Sequence, residues 1–265
     1  MYAFTYRKAK DVKDAAAGLA KNADAKLLAG GQSLIAAMKL RLSAPPELID
    51  LGTISELRGI KSDGKNVVIG AMTRHAEVAA SSDVKKAIPA LAYLASQIGD
   101  RMVRNMGTLG GAIAHNDPAA DYPAAVLGLG ATVETNKRKI DADSFFKGIY
   151  ETALEPGEII TSVSFPIPKR AAYMKFKQPA SRFAMVGVMV ADMGKEVRVA
   201  VTGAGPCVFR VKEMEQALSK KFAPESVASI KVPEKGLNSD IHASPEYRAH
   251  LVTVMAKRAV EAALK

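Results

Sequence analysis

Apolar residues recur at helical spacing over residues 11–21, where Val12, Ala15, Ala16 and Leu19 share one side of DVKDAAAGLAK and Asp11 stands at the capping position. This spacing predicts a surface helix. A short apolar run from Leu27 through Leu28 to Ala29 then breaks at Gly30-Gly31, and a second helical pattern starts near Ser33. The order predicted is strand, glycine turn, helix. Pro45-Pro46 stop that helix, and ELIDL (47–51) predicts another strand of the same small α/β unit.

VVIGA (67–71) follows the turn-forming Asp63-Gly64 and predicts a strand, after which Thr73, Glu77 and Val78 suit a short helix. Pro89 opens a further helix, PALAYLASQIG, with Leu91, Leu94, Ala95 and Ile98 on one face. The segment RNMGTLGGAIAHNDPAADYPAA packs Gly107, Gly110 and Gly111 into five residues, which predicts a backbone-exposing loop or a bend entering a helix. ATVET, PGEIITSVSFPIP and YMKFKQ read as strands, and Pro166 and Pro168 suggest a domain boundary near residue 170. Beyond it, FAMVGVMVA and EVRVAVTGAG predict an antiparallel hairpin turning at Met193-Gly194. Three helices are expected in the tail, over 212–219, 224–230 and 245–264.

Composition narrows the class. With 265 residues the chain suits one large or two modest domains, and its 48% hydrophobic and 24% charged residues are those of an ordinary soluble protein with no apolar run long enough to span a membrane. A single cysteine, Cys207, excludes a disulfide framework, an iron–sulfur cluster built by this chain alone and a Cys-rich zinc site. The four histidines form no metal-ligating pair, so no metal is expected on this chain. The formal charge of +10 is spread among acids without a basic run, which favours a solvated surface or an acidic partner over nucleic acid. The first fifteen residues lack the apolar core of a secretory signal, and a cytoplasmic location is expected.

Two segments carry candidate chemistry. Ala29-Gly30-Gly31-Gln32-Ser33 lies between a strand and a helix start, where free N–H groups favour an anion such as a diphosphate. It is neither a Walker A loop nor a Rossmann fingerprint. Gly107-Thr108-Leu109-Gly110-Gly111 repeats the chemistry, so the two could hold a diphosphate from both sides. Asp117 and Asp121 either cap the following helix or accept ribose hydroxyls.

LLAGGQSLIAAMKLRLSAPPELIDL and RNMGTLGGAIAHNDPAADYPAAVLGLGATVE, followed by PGEIITSVSFP, YMKFKQPASRFAMVGV and TGAGPCVFRVKEMEQAL, together resemble the FAD-binding medium subunit of molybdenum hydroxylases. That family includes xanthine dehydrogenase, aldehyde oxidoreductases and aerobic carbon monoxide dehydrogenase. The resemblance implies an α+β fold: a vanillyl-alcohol-oxidase-type (PCMH-type) FAD-binding domain of two α/β subdomains over residues 1–170, then a smaller C-terminal α/β domain over 171–265. It implies that Ala29, Gly30, Gly31, Gln32, Ser33 and Leu34, with Thr108, Leu109, Gly110 and Gly111, hold the diphosphate mainly through backbone N–H groups, helped by the Ser33 and Thr108 hydroxyls. Asp121 would match the acid at the adenosine ribose, and Lys177 the cation near the flavin, where positive charge raises its potential. Leu28 is read as a packing residue.

The implied role is electron transfer within an oxidoreductase complex, with no acid–base catalyst on this chain. A large subunit would carry the molybdenum cofactor and a small one two [2Fe-2S] clusters, in a dimer of heterotrimers, with the substrate most simply carbon monoxide or an aldehyde. Two departures qualify it: Arg182 replaces an acid that the family often carries, and the cysteine-bearing insertion of the 4-hydroxybenzoyl-CoA reductases is absent. Other readings are a self-sufficient flavin oxidoreductase and a non-enzymatic nucleotide-binding scaffold.

Overall fold

The computed structural model describes all 265 residues. Its first unit is built from β1 (Thr5–Lys8), α1 (Val12–Lys21), β2 (Lys26–Leu28), α2 (Leu34–Lys39) and β3 (Glu47–Asp50), with the strands parallel in the order β1-β3-β2. Asp11 starts α1 by accepting the Asp14 N–H at 2.7 Å, the capping expected from its position. α2 stops well before Pro45, where Arg41 turns the chain with a φ of 60°. Ala15, Ile49, Leu51, Leu57 and Met72 form the small core beneath this sheet. β1, too polar to betray itself by pattern, is held by its register with β3.

The second unit begins with a hairpin of β4 (Ile60–Ser62) and β5 (Asn66–Gly70), closed by Asp63 Oδ1 accepting the Lys65 and Asn66 N–H groups. Six short helices follow: α3 (His75–Ala80), α4 (Ser82–Ala87), α5 (Pro89–Ser96), α6 (Arg101–Met106), α7 (Leu109–His115) and α8 (Tyr122–Gly128). The chain then adds β6 (Thr132–Thr135), β7 (Lys139–Asp141), α9 (Ala142–Phe145), the small ribbon of β8 (Phe146–Gly148) and β9 (Glu151–Thr152), and β10 (Ile160–Pro166). The five-stranded sheet β4-β5-β10-β6-β7 is antiparallel throughout. Val67, Ile69, Val163 and Phe165 of its strands meet Leu91, Leu94, Ile113 and Tyr122 of the helices in the largest core.

The third unit is an antiparallel sheet of β11 (Arg170–Lys177), β12 (Ala184–Asp192), β13 (Val197–Thr202) and β14 (Phe209–Arg210), with α10 (Lys212–Lys220), α11 (Glu225–Ala228) and α12 (Pro245–Ala263). The near-continuous apolar run of β12 has a simple cause: both its faces are covered. Val186, Val188 and Val190 join Val252, Met255 and Ala259 of α12, while Met189 and Ala191 belong to the core of the second unit. A side chain on Gly128 of α8 would lie 2.7 Å from Met189 Cγ, so α8 meets this sheet closely. The expected hairpin at Met193-Gly194 is present. The expected helix over 224–230 shrinks to the single turn of α11, with Val227 inside it and Ile230 beyond it both buried.

Candidate cofactor-binding site

β2 ends at Leu28 and α2 begins at Leu34. Between them the N–H groups of Ala29, Gly30, Gly31, Gln32 and Ser33 donate to no acceptor in the chain, and neither does that of Leu34. The first amide to be satisfied is that of Ile35, which reaches Gly31 O at 3.0 Å. Gly31 makes the bend with a φ of 73°, a conformation that favours glycine. Ser33 spends no side-chain bond on capping α2, and it and Gln32 are exposed. Six successive unpaired amides beside a free hydroxyl are donors that could hold an anion.

The second glycine motif enters α7 through a bend, one of the two forms expected, but its amides are already used. Leu109 N–H donates to Thr73 O at 3.1 Å, Gly110 N–H to Ala71 O at 2.8 Å, and Gly111 N–H to Thr108 Oγ1 at 3.2 Å. His75 N–H takes Gly107 O at 3.0 Å. Only the Thr108 amide is left unpaired, together with the hydrogen of its hydroxyl, whose oxygen caps α7. The expectation that both loops give backbone N–H groups alike is therefore corrected: Leu109, Gly110 and Gly111 give theirs to protein acceptors.

The glycines also have a more local purpose than approach to a ligand. A Cβ on Gly30 would strike the backbone carbonyl oxygen of Met106 and lie 2.8 Å from Gly107 Cα. One on Gly110 would lie 2.6 Å from Ala71 Cβ and 2.9 Å from its backbone, and one on Gly111 3.4 Å from Ala29 Cβ. The two motifs thus touch each other, with Gly30 against the second loop and Gly111 facing the first. Leu28, as expected, packs locally, 3.4 Å from the position a Gly31 Cβ would take.

Behind the second loop lies a buried pair that sequence reading missed. His75 is 4% exposed, its ring 5.3 Å from that of Tyr122, and neither His75 Nδ1 nor Tyr122 Oη has a partner. Burial, with the Arg104 charge nearby, pushes the imidazole pKa down to about 4. A side chain on Gly107 would lie 2.5 Å from His75 Nε2, so the neutral ring supports the loop from below.

Asp121 is the corner of another buried network. Tyr173 Oη donates to Oδ1 at 2.6 Å and Lys175 Nζ to Oδ2 at 2.9 Å, while Lys175 also donates to Gln97 O. The carboxylate makes no cap to α8. Burial pushes its pKa up, against the lowering effects of Lys175 and Tyr173. Tyr173 and Lys175 lie two apart on β11 and so share a face, a signal that would have marked them beside Lys177. Lys177 itself ends the strand, exposed and without an ion-pair partner. Asp117 Oδ1 accepts the Ala119 N–H at 2.8 Å, and its residue lines a cavity of about 340 Å³ with Tyr150, Gln178, Phe183, His242 and Arg248.

Residues 2–168 match the family described as FAD binding domain in molybdopterin dehydrogenase, and residues 171–263 match the CO dehydrogenase flavoprotein C-terminal domain. The chain belongs to the FAD-binding medium subunits of the molybdenum hydroxylases. It is 37% identical to the carbon monoxide dehydrogenase medium chain of Hydrogenophaga pseudoflava, over 98% of this chain and 96% of that one. It is 36% identical to the nicotine 6-hydroxylase medium subunit of Paenarthrobacter nicotinovorans, over 97% and 96%. Among solved structures, carbon monoxide dehydrogenase from H. pseudoflava lacking the Mo-pyranopterin moiety of its molybdenum cofactor superimposes with a TM-score of 0.89 at 36% identity, covering 99% of this chain and 98% of that chain. The fold is thus the PCMH-type FAD-binding domain followed by a C-terminal domain, and the medium subunit is an oxidoreductase component. No helix is long and apolar enough to cross a membrane.

Proposed function

We propose that this medium subunit holds the FAD diphosphate on the amides of Ala29, Gly30, Gly31, Gln32, Ser33 and Leu34, with the Ser33 and Thr108 hydroxyls donating to it from the two sides. The observation that carries this reading is the unbroken run of six unpaired amides beside a second loop whose amides, Thr108 apart, are satisfied within the chain. An anion is the ligand such a donor set fits. Leu109, Gly110 and Gly111 contribute by holding Thr108 in place. Asp121 keeps acceptor positions for a ribose hydroxyl, its orientation fixed by Tyr173 and Lys175. Lys177 stands free at the end of β11, where its charge would favour negative charge on the ring and raise the reduction potential.

The chemistry that bound flavin supplies is acceptance of single electrons and their release singly or in pairs. Residues of this chain position it and move no proton of the substrate. In the assembly we propose, a small subunit with two [2Fe-2S] clusters delivers electrons, and a large subunit with the molybdenum cofactor oxidises carbon monoxide or an aldehyde. The assembly is a cytoplasmic dimer of heterotrimers. Support comes from relatives named as medium chains or subunits, two of them of carbon monoxide dehydrogenase and one of glyceraldehyde dehydrogenase. Residues 1–170 form the FAD-binding part and 171–265 the C-terminal part.

The test is co-expression with candidate large and small subunits of this family, followed by chromatography of released cofactor. About one FAD per chain, with the separated medium subunit inert to aldehydes and carbon monoxide, is expected. Substrate turnover by the medium subunit alone would overturn the electron-transfer role.

A further inference from the structure

The sheet of the third unit ends in an open edge. β14 pairs only with β13, matching Phe209 to Val201 and Arg210 to Ala200, and the next residue, Val211, donates its N–H to Val199 O at 3.0 Å. In an antiparallel ladder bonded and non-bonded pairs alternate. The pairs 199/211 and 201/209 are the bonded ones, so Arg210 turns its N–H and C=O outward. Outside lies a groove of about 490 Å³, with residues 205–213 along one wall and 231–237 along the other. Val208, Phe209, Val232 and Leu237 give it an apolar lining.

The charge around this groove is mainly positive. Lys212, Lys231 and Lys235 line it and are exposed, with Glu213 on the same lining and Glu234 beside it, and Lys212 is ion-paired to Glu215 at 3.2 Å. Lys231 and Lys235 make no ion pair, whereas the Arg210 guanidinium is already committed to Asp143, Glu196 and Glu215. The first turn of α10 opens at the same end with Val211 at its cap, a residue that offers no side-chain bond. An unpaired edge accepts an added strand. A second copy of this chain would bring like charge to the same place.

We propose that this edge docks an extended acidic segment of a partner subunit as an added strand, its backbone bonding to Arg210 and its carboxylates meeting Lys231 and Lys235. The inference rests on the reading of the chain as one subunit of a complex. It is distinct from the cofactor cleft: its residues belong to β14, the start of α10 and the segment before Asn238.

The test uses the assembled complex. Zero-length carbodiimide cross-linking joins lysines to carboxylates in contact, and hydrogen exchange reads the Arg210 amide. Cross-links from Lys231 or Lys235 to Asp or Glu of a partner, with slowed exchange at Arg210 on assembly, are expected. The combined variant Lys231→Glu, Lys235→Glu, neither of which makes an ion pair within the chain, should keep the wild-type melting temperature and lose about tenfold or more in affinity for the partners. Unchanged exchange at Arg210, absent cross-links or wild-type assembly by the variant would each overturn the proposal. Failure of the wild-type chain to assemble would instead overturn the subunit reading on which it rests.

Discussion

The two glycine motifs look alike along the chain, each running into a helix and each carrying a hydroxyl residue, yet the structure uses them differently. The first leaves six successive amides unpaired and Ser33 uncommitted. The second is clamped: Thr73, Ala71 and Thr108 take the amides of Leu109, Gly110 and Gly111, and His75 supports Gly107 from beneath. Composition signals that a backbone is exposed in sequence; it does not say to what. Here one loop leaves its donors free, while the other spends them within the chain and packs against the first, with Gly30 touching Met106 and Gly107. Changes at the exposed side chains of the first motif should therefore act on binding, and changes at the close-packed glycines of either motif on folding.

The largest effect is expected at Gly110. In Gly110→Val the new Cβ lies 2.6 Å from Ala71 Cβ and 2.9 Å from backbone atoms that cannot yield, so the soluble, cooperatively melting protein should be lost. A folded Gly110→Val lacking only FAD would break the comparison, since the second loop would then be the ligand-facing one. Next comes Asp121→Asn, which leaves Lys175, 4% exposed at its side chain, without its counter-charge. A loss of about 3–5 kcal/mol by denaturant unfolding is expected, accompanied by weaker FAD binding. Unchanged stability would exclude the buried pair with Lys175 as a support of the fold, and unchanged FAD binding would exclude Asp121 from the ribose site.

Acid should loosen the second motif through His75. Its folded pKa of about 4 lies below the ordinary value of 6.5, so the unfolded chain takes up the proton first as pH falls. The stabilisation is complete above pH 6.5 and is lost on the way down to about 4, on the order of 3 kcal/mol. His75→Gln should flatten the stability profile measured between pH 7 and 4.5 relative to wild type; parallel profiles would exclude the buried neutral imidazole as its cause. The smallest structural effect belongs to Ser33→Ala, an exposed residue with no capping bond. Stability should stay within about 0.5 kcal/mol while FAD affinity falls up to about tenfold.

The elements with strong periodicity were legible in sequence: α1, α5, α12 and the β12–β13 hairpin show their faces in the spacing of apolar residues. The location of both glycine motifs was legible as well, and Asp121 stood out as a carboxylate ahead of a helix, whereas Lys177 enters only through the family resemblance. Less legible were β1 and β14, whose strand state depends on a neighbour's register more than on their own pattern. The partition of amides between the loops was invisible as well, because the acceptors Ala71 and Thr73 lie some forty residues from their donors in sequence and reach them only once β5 and α3 have packed. Lys175 and Tyr173 escaped because a lysine in a strand reads as solvated until its partner, Asp121 on another unit, is known.

Amide hydrogen exchange on the chain in its complex, with FAD removed and then restored, tests the central claim most directly. With FAD removed, the amides of Gly30, Gly31, Gln32 and Ser33 should exchange quickly, and those of Leu109 and Gly110 slowly. On restoring FAD the first set should slow markedly while the second stays as it was. Fast exchange at Leu109 and Gly110 without FAD, slowed by its return, would contradict the account and make the second loop the diphosphate cradle.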